Sequence, residues 1–258
     1  MIHPNAVLHE SVVLGIGVEI GPFSVIDENV VIGDFCKIES HVRIHSHTTL
    51  GKHNHIYHSA AIGTDPQHIT PDKVPTYLTI GDHNIIREYV TLSRGSLKGG
   101  SYTTIGDHNL IMSYAHIGHD CLVGNHTIIS SGVLVAGHVE IEDYVVIGGA
   151  AVIQQFSKIG RNAMVGGSSG VNQDVVPFSL VSGTPIRYGG LNVVGLRRAG
   201  LSSEKLKEIK TIHSILLRKG LSLETATKSI EEMPPSEYVM NTLNFLNKST
   251  RPLCRRAK

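Results

Sequence analysis

The sequence predicts an all-β parallel β-helix followed by an α-helical region, and three observations support this prediction. Isoleucine, leucine or valine occupies every sixth position in two long runs, over residues 2–62 and 105–171. Glycine follows many of these positions, and the chain has no Trp and only 5% aromatic residues. An α-helix needs apolar spacing of about 3.6 and a half-buried strand needs alternation. A strict six-residue period is instead typical of a β-helix.

Each six-residue unit is expected to form one short strand and one corner. The repeat residue points inward, and so does the residue two positions before it, because side chains alternate across a strand. Cys36 and Cys121 hold this second position and are expected to be buried. Glycine, Asn and Asp are expected to supply the positive φ that tight corners need.

The cysteines and the start of the repeat indicate the cellular compartment of the protein. Three cysteines without a spacing pattern predict no disulfide framework and a reducing, cytoplasmic location. The repeat begins at Ile2, so no signal peptide is expected. No apolar run reaches membrane-spanning length, so no membrane span is expected.

Two interruptions of the repeat are expected to be loops. The first covers residues 64–78, where Pro66, Pro71 and Pro75 cannot take part in regular ladder pairing. The second covers residues 94–104 and is rich in Gly and Ser. Long loops on a rigid scaffold are often functional, so both are candidates for site components.

The chain after the β-helix changes to a helical pattern. The β-helix is expected to occupy residues 1–190, and residues 191–258 are expected to form a C-terminal helical domain. Apolar residues recur there at helical spacing, and serines at 202 or 203, 222 and 236 are placed to cap helix starts. The predicted helices are near 202–218, 222–232 and 236–247.

Charge divides unevenly along the chain. Residues 1–196 carry 10 Lys/Arg and 16 Asp/Glu, a net charge of −6, whereas residues 197–258 carry 13 and 6, a net charge of +7. The basic C-terminal region predicts an acidic macromolecular partner. The alternative interpretation is a solvated helical surface without a partner.

Polar residues gather on one corner if three units close each turn. The period alone does not show triangular closure, which is a feature of hexapeptide-repeat proteins. If closure is triangular, residues separated by eighteen positions lie one strand spacing, about 4.8 Å, from each other. Histidine suits acid–base work near neutral pH, and a corner glycine offers an unobstructed backbone N–H for an oxyanion. The residues so brought together are His116, His119, Asp120, Gly137, His138 and Gln155, whereas solvated positions are expected for His41, His45, His47, His53, His55 and His58.

Several segments carry a resemblance to a known family. They are HIGHDCLVGN (116–125), LVAGHV (134–139), QQF (154–156), MVGGSSGVNQDVVPF (164–178) and GLNVVGLRRAGLS (190–202). The chain resembles the UDP-N-acetylglucosamine O-acyltransferases over nearly its whole length. The resemblance implies a left-handed β-helix that forms a homotrimer with active sites between subunits. It also implies transfer of an R-3-hydroxyacyl group from acyl carrier protein to the 3-hydroxyl of UDP-N-acetylglucosamine, the first step of lipid A biosynthesis.

The resemblance also implies roles for individual residues. His119 matches the general base, Asp120 its acidic companion, and Gly137 the glycine whose N–H faces the thioester oxygen. Gly167 matches the position that gauges acyl length, and Arg198 a basic residue linked to phosphate or carrier recognition. No metal, other cofactor or nucleic acid is expected. Substrate contacts are implied for Gln67, His68, His116, His138 and Gln155.

Three positions depart from the family pattern and leave alternatives open. His68, Ser93 and Gln154 stand where the family commonly has Asp, His and His around the sugar nucleotide. A 3-amino analogue of the sugar, which would give an amide, is therefore a second candidate acceptor. A zinc enzyme of the γ-carbonic-anhydrase kind is a third interpretation, since it needs three convergent imidazoles and the chain has HxxH at 116–119. A non-catalytic scaffold that binds carrier protein is a fourth.

Overall fold

The computed structural model describes residues 1–69, 74–218 and 220–255. The strands stack in three sheets, in which all pairs are parallel except the last pair of sheet III. Successive strands pass to sheets I, II and III in turn, so each turn adds one strand to each sheet. Sheet I contains Val7–Leu8, Val25–Ile26, Arg43–Ile44, Ala61–Thr64, Thr91–Ser93, His116–Ile117, Leu134–Val135, Val152–Ile153 and Gly170–Val171. Sheet II contains Val13–Leu14, Val31–Ile32, Thr48–Leu50, Tyr77–Ile80, Tyr102–Ile105, Leu122–Val123, Glu140–Ile141 and Lys158–Ile159. Sheet III contains Glu19–Ile20, Lys37–Ile38, His55–Ile56, Ile85–Ile86, Leu110–Ile111, Ile128–Ile129, Val146–Ile147, Met164–Val165, Ser179–Ser182 and Arg187–Leu191.

The repeat residues form the core, as the period predicts. Ile117 pairs with Val135, and Val135 pairs with Ile153, so residues eighteen apart occupy neighbouring turns. All three side chains are fully buried. Cys36 and Cys121 are buried free thiols, as expected, and burial raises the pKa of Cys121 to about 12. The prediction of a parallel β-helix is therefore confirmed.

An asparagine ladder inside the β-helix was not predicted. The backbone N–H of Asn84 donates to Asn54 Oδ1 at 2.8 Å, and that of Asn109 donates to Asn84 Oδ1 at 2.8 Å. Asn109 Oδ1 in turn accepts both the N–H and the hydroxyl of Thr127 at 2.7 Å. Polar side chains can therefore occupy the inner position, because each turn supplies hydrogen bonds to the next.

The expectation that glycine, Asn and Asp supply the positive φ at corners is mostly wrong. Positive φ falls three residues after the repeat position, where most side chains are aromatic, His or Ser. On one corner, His53, His83, His108 and His126 stack at centroid distances of 4.6, 4.8 and 4.8 Å. Ring contact between turns offsets the cost of the left-handed conformation.

The glycines directly after the repeat residues instead allow the backbones of successive turns to approach each other closely. A Cβ on Gly33, for example, would lie 2.5 Å from the carbonyl oxygen of Gly51 in the next turn.

The other histidines that were expected to be solvated divide into two groups. His41 and His53 are exposed, whereas His45, His47, His55 and His58 are half-buried.

In both interruptions of the repeat, the chain leaves the sheets and returns to them in a later strand. The first begins after the strand Ala61–Thr64, and the next strand begins at Tyr77. Pro71 lies outside the described residues. The second contains a short 3-10 helix, Leu97–Gly99, and the strand after it begins at Tyr102.

The C-terminal region is helical, and its three predicted capping serines are confirmed. Ser202, Ser222 and Ser236 accept hydrogen bonds from the N–H three residues later at 3.4, 3.1 and 3.2 Å. The first helix, capped by Asn192, was missed because six residues give too little apolar periodicity. No helix in the described part of the chain is both long and apolar enough to span a bilayer. The helices are Val193–Arg198, Ser203–His213, Leu223–Glu231 and Glu237–Lys248, and a π-helical segment, Ser214–Arg218, continues the second.

Asp174 joins the last turn of the β-helix to the C-terminal segment. This buried carboxylate accepts hydrogen bonds from the hydroxyl of Ser249 at 2.6 Å and from the N–H groups of Thr250 and Arg251 at 3.2 and 3.1 Å. It also accepts from the N–H of Lys158 at 2.8 Å. The chain end is thereby held against the β-helix.

Candidate active site

The candidate site lies at the corner between sheets I and II. His119, Gly137 and Gln155 each follow a repeat residue of sheet I by two positions. The pairing of their strands places them in one column, one turn apart. Asp120 and His138 form the adjacent column, with φ of 60° at both.

His119 and Asp120 form a closely hydrogen-bonded pair. His119 Nδ1 lies 2.6 Å from Asp120 Oδ2. Because a carboxylate oxygen accepts, Nδ1 carries the proton and Nε2 of the neutral ring is left with its lone pair. This is the tautomer that a general base needs at Nε2.

The second loop holds Asp120 in place. Ser96 donates its N–H to Asp120 Oδ1 at 2.7 Å and its hydroxyl to Asp120 Oδ2 at 2.6 Å. The loop packs so closely that a Cβ on Gly99 would clash with the carboxylate. Ser96 is a site residue that sequence reasoning missed, although the loop itself was marked as a candidate. Its Gly- and Ser-rich composition was the only signal.

The first loop brings His68 onto His119. His68 Nε2 lies 3.0 Å from His119 Nε2, and the two rings meet edge to face with centroids 4.3 Å apart. Gln67 lines the groove beside them.

Gly137 provides both space and a backbone donor. A Cβ there would lie 2.6 Å from His119 Cε1 and 2.7 Å from its Nε2, so only glycine lets the ring sit this close. The backbone N–H groups on either side of Gly137 are used within the β-helix. That of Ala136 donates to Ile153 O at 3.0 Å, and that of His138 donates to His119 O at 2.9 Å. The Gly137 N–H donates no hydrogen bond to any described residue. A free donor beside the base suits an oxyanion.

Two further histidines border His119, and burial lowers the pKa of both. Burial lowers the pKa of His116, and His119 lowers it further. The hydroxyl of Thr91 lies within hydrogen-bond distance of His116 Nδ1, at 2.8 Å. Burial also lowers the pKa of His138, whose ring stacks on Phe156 at 4.5 Å. His138 Nε2 lies 3.6 Å from Asp120 Oδ2.

A groove runs from the base along sheet I. The part beside His119 has a volume of about 550 Å³ and includes His116, Leu134 and Gly137. It continues into an apolar section, which also contains Gln155. The apolar section is lined by Ala136, Val152, Ile153, Gly170, Val171 and Pro185, among others.

Within one chain, Gly167 and Arg198 lie away from the base. Gly167 is at the corner between sheets III and I, on the opposite margin of sheet I from His119. Arg198, in the last turn of the first helix, lines an apolar pocket on sheet III with Met164 and Leu180. The structure thus brings the other candidate residues together near the corner between sheets I and II, but it does not bring Gly167 and Arg198 there.

Three side chains of the site also lie close enough together to hold a metal ion. His119, Asp120 and His138 place ligand atoms within 4.8 Å of one another, and no other such group occurs among the described residues. However, Nδ1 of His119 is bonded to Asp120, and its Nε2 faces His68. The group thus offers two imidazoles and one carboxylate, and not the three imidazoles of a γ-carbonic-anhydrase-like site.

The fold and site define a hexapeptide-repeat transferase. A family model described as bacterial transferase hexapeptide matches residues 11–46 and 102–137. A second model, UDP-N-acetylglucosamine O-acyltransferase domain 2, matches residues 174–254. The β-helix is left-handed in this class, and a helical region follows it.

Solved structures extend the similarity over the whole chain. A UDP-N-acetylglucosamine acyltransferase of Francisella novicida is 37% identical with a TM-score of 0.97, and the match covers 100% of this chain and 95% of that one. The enzyme of Campylobacter jejuni is 35% identical, TM-score 0.94, with 100% of both chains covered. The enzyme of Arabidopsis is 32% identical with a TM-score of 0.86, and the match covers 99% of this chain and 100% of that one. The chain belongs to the UDP-N-acetylglucosamine O-acyltransferase family.

Proposed function

We propose that the protein transfers an R-3-hydroxyacyl group from acyl carrier protein to the 3-position of UDP-N-acetylglucosamine, as the first step of lipid A biosynthesis. The observation that carries the proposal is the His119–Asp120 pair beside the free N–H of Gly137. Base and oxyanion donor are the two groups that acyl transfer to a hydroxyl requires. We place the reaction in the cytoplasm, because the three cysteines are free thiols, as is typical of a reducing compartment.

The proposed mechanism uses the atoms in these positions. His119 Nε2 takes the proton of the acceptor 3-hydroxyl as its oxygen attacks the thioester carbonyl carbon. The carbonyl oxygen becomes an oxyanion, which accepts a hydrogen bond from the Gly137 N–H. The C–S bond then breaks, the ester forms, and the carrier thiolate takes the proton from His119. Asp120 holds the ring in the correct tautomer and stabilises the imidazolium.

Substrate positions follow from the groove. Gln67, His116, His138 and Gln155 supply neutral hydrogen-bonding groups around the sugar nucleotide. The acyl chain follows the apolar section of the groove on sheet I.

A homotrimer explains why Gly167 and Arg198 lie apart from the base. Residues on sheet III and at its far corner cannot reach the His119 corner within one chain, but a neighbouring copy can present them there. The site is then complete only between subunits. The basic region that contains Arg198 faces the acidic carrier protein in this arrangement.

Subunit complementation tests the shared site. Homotrimers of His119→Ala and of Arg198→Glu are each expected to have impaired acyl transfer. Mixed trimers are expected to regain activity at the sites where one chain supplies an intact His119 and its neighbour supplies an intact Arg198. Mixed trimers that stay as inactive as the parents would place the two residues in one chain's site.

The activity itself is tested by acyl transfer from a panel of hydroxyacyl carrier proteins. UDP-N-acetylglucosamine and its 3-amino analogue are compared as acceptors, because His68, Ser93 and Gln154 leave the amide-forming alternative open. His119→Ala should lower turnover by about 10²–10⁴-fold. No transfer to either acceptor would favour the carrier-binding scaffold. Stoichiometric zinc in the purified protein would favour the metal-dependent alternative.

A further inference from the structure

We propose that His68 and the acceptor compete for a single lone pair on His119. In the free enzyme His68 donates a hydrogen bond to Nε2 of the base, and the acceptor's nucleophilic group replaces it there. His68 is thus a positioning residue for the base. This inference rests on the proposed function, because it concerns the same base and the same acceptor.

The direction of the hydrogen bond follows from Asp120. The Nδ1–H of His119 is committed to Asp120 Oδ2 at 2.6 Å, so Nε2 of the neutral ring can only accept. His68 Nε2 lies 3.0 Å away and must therefore be its N–H donor. The angle of 75° between the ring planes keeps the rings from stacking face to face.

The loop is anchored so that this contact is maintained. Arg94 donates its backbone N–H to Thr64 O at 2.9 Å, and its guanidinium pairs with Asp65 and bonds Ser46 O at 3.3 Å. The N–H of His68 bonds Pro66 O at 2.7 Å. These bonds attach the segment before His68 to the β-helix on the side of the base.

Competition follows from the geometry of the imidazole nitrogen. An sp² ring nitrogen has one lone pair, which lies in the ring plane and accepts one strong hydrogen bond. A general base must lie within about 2.6–3.2 Å of the group whose proton it takes. The acceptor therefore has to take the position that the His68 N–H occupies. Until it does, the lone pair of the base is occupied and its tautomer is held from both sides.

Two variants separate the hydrogen bond from the ring that makes it. His68→Phe keeps a ring against His119 but removes the N–H, and His68→Gln keeps an N–H donor. In calorimetry without acyl donor, we expect His68→Phe to bind UDP-N-acetylglucosamine about 2- to 10-fold more tightly than wild type, because no hydrogen bond has to be displaced. His68→Gln should lie between the two. Unchanged or weaker binding by His68→Phe would overturn the proposal.

Turnover gives a second criterion. The loss of kcat in His68→Phe should stay below about tenfold, since the acceptor has already displaced His68 in the productive complex, whereas His119→Ala should lose about 10²–10⁴-fold. A loss as large as that of His119→Ala would make His68 part of the proton transfer instead. His126→Phe is the matched control, because it exchanges one stacked corner ring for another at a different corner.

NMR of ¹⁵N-labelled histidine tests the hydrogen bond without any substrate. The His119 Nε2 signal of the free enzyme should move in His68→Phe and not in His126→Phe. An unmoved signal would show that the two rings are not bonded in solution, and the proposal would fall. Wild type that fails to bind the sugar nucleotide would instead remove the proposed acceptor, and the NMR comparison would still decide the contact.

Discussion

Substitution of Gly137 by Ala tests how closely the base is positioned. The added Cβ would lie 2.6 Å from His119 Cε1, 2.7 Å from Nε2 and 3.0 Å from Nδ1. Gly137 does not have positive φ, so alanine strains no backbone angle. The N–H of residue 137 is retained, so the oxyanion donor remains. The variant therefore changes the position of the ring alone.

The magnitude follows from the required displacement. Ordinary contact begins at 3.4 Å, so the ring must move by about 0.8 Å from its 2.6 Å position. That shift lengthens the 2.6 Å bond to Asp120 and misdirects Nε2. A displacement of about 1 Å in a reacting group can lower the rate about 10²-fold. We therefore expect kcat to fall by about 10² in Gly137→Ala.

The assay is steady-state acyl transfer at saturating acceptor, with circular dichroism and size-exclusion chromatography to confirm fold and assembly. Gly189→Ala is the control, because its Cβ would meet Leu180 only at ordinary distances of 3.4 and 3.9 Å, on a strand that lines neither part of the groove. It should retain wild-type kcat. A Gly137→Ala enzyme with kcat within about threefold of wild type would show that the site tolerates this shift, and would refute the reasoning from ring position.

Four other positions test separate parts of the structure. Gly167→Met should shift preference toward shorter acyl donors in a donor-length series, since its Cβ direction is open except for Gly149 O at 3.2 Å. Arg198→Glu should raise KM for acyl carrier protein, and KM should rise with salt more for the carrier than for a small thioester. Tyr188→Phe removes the hydroxyl 2.9 Å from the buried His213 Nδ1 and should cost about 1–3 kcal/mol of unfolding free energy in urea. Burial lowers the pKa of His116, so its NMR titration midpoint should fall below 6.5. Its contribution to stability should be complete above 6.5 and be lost as pH falls, because the unfolded chain takes up the proton first.

The outcome that would contradict each expectation is specific. An unchanged donor profile in folded Gly167→Met would remove the length-gauge role. Equal salt sensitivity for carrier and small thioester would make the basic region a solvated surface. Wild-type stability of Tyr188→Phe would show that His213 finds another donor. A His116 midpoint at or above 6.5 would mean that its ring is not buried in solution.

The sequence was sufficient for the β-helix, which follows from the six-residue period. The column of site residues followed once three units were taken to close each turn, as in hexapeptide-repeat proteins. A six-residue repeat fixes which side chains point inward, and eighteen residues per turn place His119 beside Gly137. Contacts made by the loops could not be derived in this way. Ser96 meets Asp120 from 24 positions away, and His68 meets His119 from 51. No periodic rule relates such positions, since they depend on the path of an irregular chain.

The corner conformations were misjudged for a related reason. Glycine was expected where φ is positive, because intrinsic preference favours it there. In the structure, stacking between successive turns stabilises His and aromatic side chains at those positions, and this energy is visible only once the turns are superposed. Local preference was therefore overridden by contacts eighteen or more residues away.

The bonds made by Asp174 also bear on how copies of the molecule can associate end to end. A parallel β-helix ends in strands with unpaired backbone groups, which can add further strands from another molecule. At the C-terminal end, Arg187–Leu191 runs antiparallel to Ser179–Ser182, and Asp174 holds the returning chain across the last turn. At the N-terminal end, the repeat residues Leu8 and Leu14 are only half-buried, whereas those of later turns are buried.

Filament growth requires head-to-tail contact between two different ends, whereas contact between two like ends closes after a single pair. With one end covered by its own chain, stacking through the other can produce a closed pair of molecules but no propagating fibre. Asp174 and the antiparallel strand thus cover the end through which such a fibre would have to grow.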